Sequence, residues 1–392
     1  MRLKKVNSLS DNYLDSIGFS WHTDIDKTSY ISDNIISISA DEANRYYEAT
    51  NKLYDMFCEA GQYIIDNNLF HEIGIPFNLI SLVKKSWEDD VHWHLYGRFD
   101  LAGGLDGKQI KLIEFNADTP TALYETAIVQ WAILKYNNYD EQQQFNSLYE
   151  AIGDNFKRLI TLNSDIEEFE EYYKKLNWKI LFSSISNNNE EIHTTKLLQY
   201  IASEVGFETD FSFIDEVEFS EDGISKDGKI FEFFFKLIPW EDIAIQEGEL
   251  AILLDDIITN KKAIVLNPAY TLLFQSKGIM KILWDLYPNH PLLLETSFTP
   301  LENKKQVEKV CFGREGANIA IINADNSLDI KTNGEYKDGK VIYQEYIEFN
   351  KDNDGDYYQA GVFYAYESCG LGFRKGGKIL DNSSKFVGHI VE

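Results

Sequence analysis

Between Arg98 and Asn116 the chain reads Arg-Phe-Asp-Leu-Ala-Gly-Gly-Leu-Asp-Gly-Lys-Gln-Ile-Lys-Leu-Ile-Glu-Phe-Asn. Asp106-Gly107 marks a hairpin turn, because an Asp-Gly pair accepts the left-handed backbone of a tight reversal. With the turn centred on Gly107, Asp100 faces Glu114 and Arg98 faces Asn116. Strand alternation puts these four on one face, and Phe99 and Leu101 face Phe115 and Ile113 on the other. Two carboxylates placed directly opposite repel unless they share a proton or hold a cation. Oxygens from Asp, Glu and Asn suit magnesium, which also takes substrate phosphates, and the Arg98 fork beside them suits an oxyanion or a moving phosphoryl group. The alternative is a solvated hairpin with accidental charge pairing, and a one-residue slip of register would remove the argument.

A second constellation lies far downstream. Lys309-Val310-Cys311-Phe312-Gly313-Arg314-Glu315-Gly316 sets two glycines after a lysine and before an apolar strand. Such a loop lets backbone amides approach phosphate oxygens while the lysine neutralises them, although it is not a Walker sequence and a plain hairpin turn reads the same way. Gln344-Glu345-Tyr346-Ile347 follows an apolar strand, whose free edge can pair with adenine. Lys277, before a helix, can reach another phosphate or be a surface charge. His92 and His94 are two apart with no third ligand near them, and read as surface or core. No serine–histidine or cysteine–histidine pair is visible.

The elements that must position these residues follow from periodicity. Apolar and aromatic residues recur at three- and four-residue steps over 41–70, which predicts a long amphipathic helix with a packing role. After the hairpin, a helix is expected over 121–137 with Pro120 in its first turn, then a polar helix over 141–175. A strand at Trp178–Phe182, a helix over 190–204 and a strand at 209–214 predict a small α/β unit, extended by buried strands at 229–239 and 262–267 and a helix at 275–286. Short strands follow at 318–322, 341–349 and 359–366. With 392 residues, 44% of them hydrophobic, the chain has ample core for about two to three domains and is not disordered. Its 37 basic and 64 acidic residues give a net charge of −27, which opposes nucleic acid and anionic lipid and favours cationic ligands. Three scattered cysteines fit neither a disulfide framework nor a zinc site and point to a reducing compartment. The basic start has no apolar stretch behind it, and no apolar run is long enough to span a membrane, so a cytoplasmic protein is expected. Oligomeric state is not read from the sequence.

Arg98-Phe99-Asp100, Leu112-Ile113-Glu114-Phe115-Asn116-Ala117-Asp118-Thr119-Pro120, Pro288-Asn289-His290-Pro291 and Gly313-Arg314-Glu315-Gly316-Ala317-Asn318 together resemble the glutathionylspermidine synthase family, of the ATP-grasp type. The resemblance runs from about Trp21 to the end. It implies an α/β (α+β) fold in which an ATP-grasp is assembled from discontinuous segments around an inserted pre-ATP-grasp α/β unit. The expected division is 1–177 with the metal-binding hairpin, 178–295 as the α/β unit, and 296–392 with the glycine-rich loop and the adenine-side strand. The implied activity is an ATP- and Mg²⁺-dependent carboxylate–amine ligase working through an acyl phosphate, with a peptide or amino-acid carboxylate as donor and an amine, a polyamine above all, as acceptor. Carried over by position, Asp100, Glu114 and Asn116 resemble the magnesium ligands, and Arg98 the residue that stabilises the transition state and touches both ATP and acyl donor. Thr119 stands at a peptide-binding serine position. Asp100, Lys277, Lys309, Glu315, Gly316 and Gln344 to Ile347 resemble the ATP contacts. The amidase domain of bifunctional members has no counterpart here, so a stand-alone synthetase-like member is expected. The competing expectation is an ATP-binding protein of the same fold without turnover, while a glycosidase is disfavoured because Asp100 and Glu114 would stand too close for separate roles.

Overall fold

The computed structural model describes residues 1–23, 27–334, 339–381 and 383–392. Strands Gly97–Ala102 and Lys111–Asn116 pair in the expected register, Arg98 with Asn116 and Asp100 with Glu114. A bulge after Asp100 then shifts the pairing, so Leu101 opposes Leu112 and not Ile113. The bulge turns Ile113 away from the core, and it lines a cavity beside Glu114.

The hairpin belongs to a six-stranded sheet whose other members come from the far end of the chain. Tyr357–Ala365 pairs antiparallel with Gly97–Ala102, Glu367–Gly376 pairs with Tyr357–Ala365, and Lys385–Val387 closes the edge. The apolar face is covered by helix Ala40–Asn67, started by a reciprocal cap between Ser39 and Glu42 and ended at left-handed Asn68. Its buried stripe, with Tyr46, Leu53, Phe57, Ala60 and Ile64, has the expected helical spacing. Phe57 packs edge-on against Phe99 and Phe115, which stack on each other at 3.7 Å and lock the hairpin register.

A four-stranded parallel sheet, in the order Ile264–Leu266, Phe233–Lys236, Lys179–Ser184, Glu208–Phe213, forms the α/β unit. Helix Asn189–Glu204 makes the strand–helix–strand crossover. A five-stranded antiparallel sheet is built from Thr296–Ser297, Val341–Glu345, Gln306–Val310, Ala320–Ile322 and Leu328–Lys331. Among the described residues no helix is long and apolar enough to cross a membrane.

Three expected helices differ, each for a local reason. The segment expected at 121–137 becomes helical only at Leu123, passes through a π-helical turn at Glu125–Val129 and continues as Gln130–Tyr136. Ala122 is left-handed and the Thr121 carbonyl accepts from Arg98 Nη1 at 2.6 Å, so Pro120 stays outside the first turn. The helix expected over 141–175 is two helices, Leu148–Thr161 and Phe169–Leu176. Its beginning is diverted because Phe145 and Ser147 pair with the backbone of Leu371 and Cys369. The helix at 275–286 is divided into Thr271–Gln275 and Ile279–Leu286, and Lys277 sits in the break with its N–H donated to the Cys311 carbonyl at 2.9 Å.

Candidate active site

Sheet alternation sends Arg98, Asp100, Glu114 and Asn116 to one face, away from the Phe99–Phe115 core. Arg98 and Asp100 are buried, and the guanidinium grips the carboxylate with both prongs, Nε to Oδ1 at 2.7 Å and Nη2 to Oδ2 at 3.0 Å. Asn116 Nδ2 also donates to Asp100 Oδ2, at 3.2 Å. Gly361, opposite Asp100 on the neighbouring strand, makes room for this: a Cβ there would lie 3.0 Å from Arg98 Cδ. Glu114 pairs with Lys277 at 3.1 Å. Burial alone would raise the Glu114 carboxyl, but Lys277, Lys309 and Arg98 outweigh it and hold it down at about 2. Each of the facing carboxylates thus has its own ion-pair partner, Arg98 for Asp100 and Lys277 for Glu114.

Lys309 reaches across from the five-stranded sheet, donating to the Ile113 carbonyl at 3.2 Å and to Gln344 Oε1 at 2.8 Å. The glycine loop links Gln306–Val310 to Ala320–Ile322, with Glu315 and Gly316 both left-handed. At Gly316 a Cβ would stand 2.6 Å from the Leu380 carbonyl, so the loop is pressed against backbone there. Lys277 Nζ donates to the Gly313 carbonyl at 2.6 Å and so ties the loop to Glu114. On the strand expected to border adenine, the N–H groups of Glu345 and Tyr346 are already donated, to Glu295 and Lys305 carbonyls at 2.7 and 2.9 Å. Gln344 is buried against Lys309, while Tyr346 and Ile347 border an apolar slot with Leu294, Val307 and Ile321.

The third wall comes from the α/β unit. Asn267 and Gln275 take up the backbone at Ala117 and Asp118, fixing the strand exit. Asp118, fully buried, accepts from Lys236 Nζ at 2.9 and 3.2 Å and from the Trp240 N–H at 2.9 Å. Arg314 of the glycine loop donates to Thr119 Oγ1 at 2.9 Å and to Glu241. Asn188 caps helix Asn189–Glu204 by accepting the Glu191 N–H. Within its first turn, burial and the Glu125 charge push the Glu190 carboxyl up to about 8.

These walls enclose one cavity of about 450 Å³. All the residues expected at the site border it: Arg98, Asp100, Glu114, Asn116, Thr119, Lys277, Lys309, Glu315, Gly316, Gln344, Glu345, Tyr346 and Ile347. It is also lined by residues the sequence reading did not assign, among them Trp21, Tyr30, Asn188, Glu190, Arg314 and Arg374. Asn188 and Glu190 had a findable signal, an N-cap pattern directly after a parallel strand, where ligands of such sheets gather. Trp21 and Tyr30 had none. His92 and His94 are buried outside this cavity, and His94 stacks on Tyr54 and bonds to the Ala117 carbonyl. Among the described residues no group of three or more His, Cys, Asp or Glu could hold a metal, and the candidate set at the hairpin is two carboxylates and an amide.

The architecture is similar to a solved glutathione synthetase-like effector from Globodera pallida, with a TM-score of 0.55, 10% identity and 94% of this chain and 93% of that one covered, a likeness of fold. Residues 1–392 match the family described as glutathionylspermidine synthase preATP-grasp, and the chain belongs to that family. It is 27% identical to a Haemophilus influenzae protein provisionally named an acid–amine ligase, over 95% of this chain and 94% of that one. It is 26% identical to the bifunctional glutathionylspermidine synthetase/amidase of Escherichia coli, over 81% of this chain and 52% of that one. With the trypanothione synthetase of Crithidia fasciculata the identity is 24%, over 84% and 52%. The chain spans about half the length of these last two relatives, and its named homologues are ligases.

Proposed function

We propose that the chain is an ATP- and Mg²⁺-dependent acid–amine ligase. A carboxylate oxygen attacks the terminal phosphorus of ATP and ADP leaves; an amine nitrogen then attacks the acyl carbon, and phosphate and a proton are released. The observation that carries this reading is the meeting in one cavity of Arg98 and the Asp100–Glu114 pair from one sheet with Lys309 and the glycine loop from another. The donor set fits a hard divalent cation, since two carboxylates and an amide oxygen stand on neighbouring strands. Asp100, Glu114 and Asn116 would hold magnesium, which there neutralises phosphate charge. Lys277, Lys309, Glu315 and Gly316 receive the ATP phosphates, and Gln344 to Ile347 with their apolar slot border the base. Arg98, with its fixed donors, faces the transferring phosphoryl group and the acyl donor, which Thr119 helps to seat.

On this reading 1–177 and 296–392 supply the parts of an ATP-grasp and 178–295 an inserted pre-ATP-grasp unit. The sheet joining Gly97–Asn116 to Tyr357–Val387 supports such discontinuous assembly. The acyl donor is a peptide or amino-acid carboxylate and the acceptor an amine of the polyamine class, in keeping with the names of the relatives and the −27 charge. Three unpaired thiols fit a cytoplasmic setting.

The test is incubation with ATP, magnesium, glutathione and spermidine. ADP release that requires both co-substrates, with an amide product by mass, is expected. Nucleotide binding without such release, across a panel of carboxylates and amines, would instead make the chain a non-ligating ATP-binding protein.

A further inference from the structure

Arg314 fastens the glycine loop to the α/β unit. Its Nε and Nη2 both donate to a single oxygen of Glu241, Oε1, while Nη1 donates to Thr119. Glu241 sits in the first turn of helix Trp240–Gln246, 3% exposed, and its other oxygen, Oε2, is buried with no hydrogen-bond partner among the described residues. The same turn is fixed from below, because Asp118 accepts the Trp240 N–H and pairs with Lys236. A rigid point of the α/β unit therefore grips the glycine loop.

An arginine fork ordinarily spans both oxygens of a carboxylate, and a buried oxygen left bare is costly. The bare Oε2 therefore offers Arg314 a second stance on the same residue, with the guanidinium on both oxygens and the Thr119 hydroxyl released. We propose that Glu241 is a positioning residue that latches the glycine loop through Arg314 and retains it when an acyl-donor carboxylate takes Thr119. The latch is a property of the chain itself; its consequence for the acyl donor rests on the ligase reading above.

Hydrogen exchange of the full chain, without substrates, tests it. In Glu241→Gln the amides of residues 312–319 should exchange about 10- to 100-fold faster, the range expected for loss of charge-assisted bonds, with the six-stranded sheet unchanged. Glu241→Ala should do at least as much, and the isosteric Gln variant keeps the test open if Ala does not fold. Loop exchange equal to wild type in a folded variant, or an increase spread evenly over the molecule, would overturn the latch. In turnover assays the KM for the acyl donor should rise in Glu241→Gln, and that for ATP should rise with it, because the loosened loop also receives the phosphates. Wild-type protein lacking ligase activity would remove the functional reading and leave the exchange result standing.

Discussion

Lys309 links the pH dependence of folding to that of nucleotide binding, with opposite signs. It is 5% exposed, and burial, with Lys277 adding to it against the attraction of Glu114, pushes its ammonium down to about 8. An unfolded lysine titrates near 10.4. Between these values the unfolded chain holds a proton that the folded chain has released, so stability rises with pH through the window from about 8 to 10.5. The full gain over that window is about 3 kcal/mol, since each pH unit in it contributes about 1.36 kcal/mol. Phosphate favours the charged ammonium, so above pH 8 nucleotide can bind only as Lys309 regains its proton. Affinity should then fall by up to about tenfold per pH unit. Urea unfolding and titration with a fluorescent ATP analogue, both from pH 7.5 to 10 in magnesium, measure the two slopes. Because other groups titrate in this range, the quantity to compare is the difference between wild type and Lys309→Met, which lacks the Lys309 contribution to both slopes. Parallel pH profiles for the two proteins, or a wild-type affinity constant from pH 7.5 to 9.5, would refute the reasoning.

Arg98→Ala should reduce amide formation by more than about 100-fold, the scale of a lost oxyanion donor, with the affinity for the ATP analogue changing far less; product formation near wild type would remove Arg98 from its role. Lys236→Met leaves Asp118 buried without its ion partner, both side chains being at most 1% exposed, and should cost about 3–5 kcal/mol in urea unfolding. A cost below about 1 kcal/mol would mean that the pair carries no weight. Gly316→Ala must relieve a 2.6 Å approach to the Leu380 carbonyl at a left-handed position. It should lower kcat/KM for ATP by about tenfold or more at little cost in global stability, since strain of about 1–3 kcal/mol falls on the loop; an unchanged kcat/KM would show that the loop adapts freely. Chelation of magnesium should abolish turnover, and Asp100→Asn should raise the magnesium concentration needed to restore it, read as a shift in the half-saturating concentration.

What was legible in the sequence was whatever local rules determine. Asp106-Gly107 and the alternation around it set the register that brings Asp100 opposite Glu114. The spacing of Tyr46, Leu53, Phe57 and Ile64 set the helix beneath them. The bulge at Ile113 was not legible, because nothing in Leu112-Ile113-Glu114 marks it. The late start of the helix after Pro120 depends on Arg98 claiming the Thr121 carbonyl from another strand. The strand Glu367–Gly376 was hidden by its glycines, which read as turn residues and in fact admit neighbours at close range: a Cβ at Gly372 would lie 2.8 Å from Phe386. Arg314 and Glu241 stand 73 residues apart, so the partner of the loop arginine was beyond any reading of spacing.

The charge distribution supports a claim that total charge would deny. The chain carries −27, yet the cavity wall gathers six basic side chains, Arg98, Lys277, Lys309, Arg314, Arg374 and Lys378, against five carboxylates. A long-range acidic field slows the approach of a free polyanion and raises the local concentration of cations, while at contact distance the buried Arg98, Lys277 and Lys309, desolvated and fixed, decide what stays. Such a layout favours a nucleotide that arrives with its charge partly neutralised by a divalent cation, and an amine that arrives charged. It follows that raising the ionic strength should speed the association of metal-free ATP and slow that of a polycationic amine, measured by stopped-flow mixing. If both rates moved in the same direction, the acidic surface would have no part in selecting what reaches the cavity.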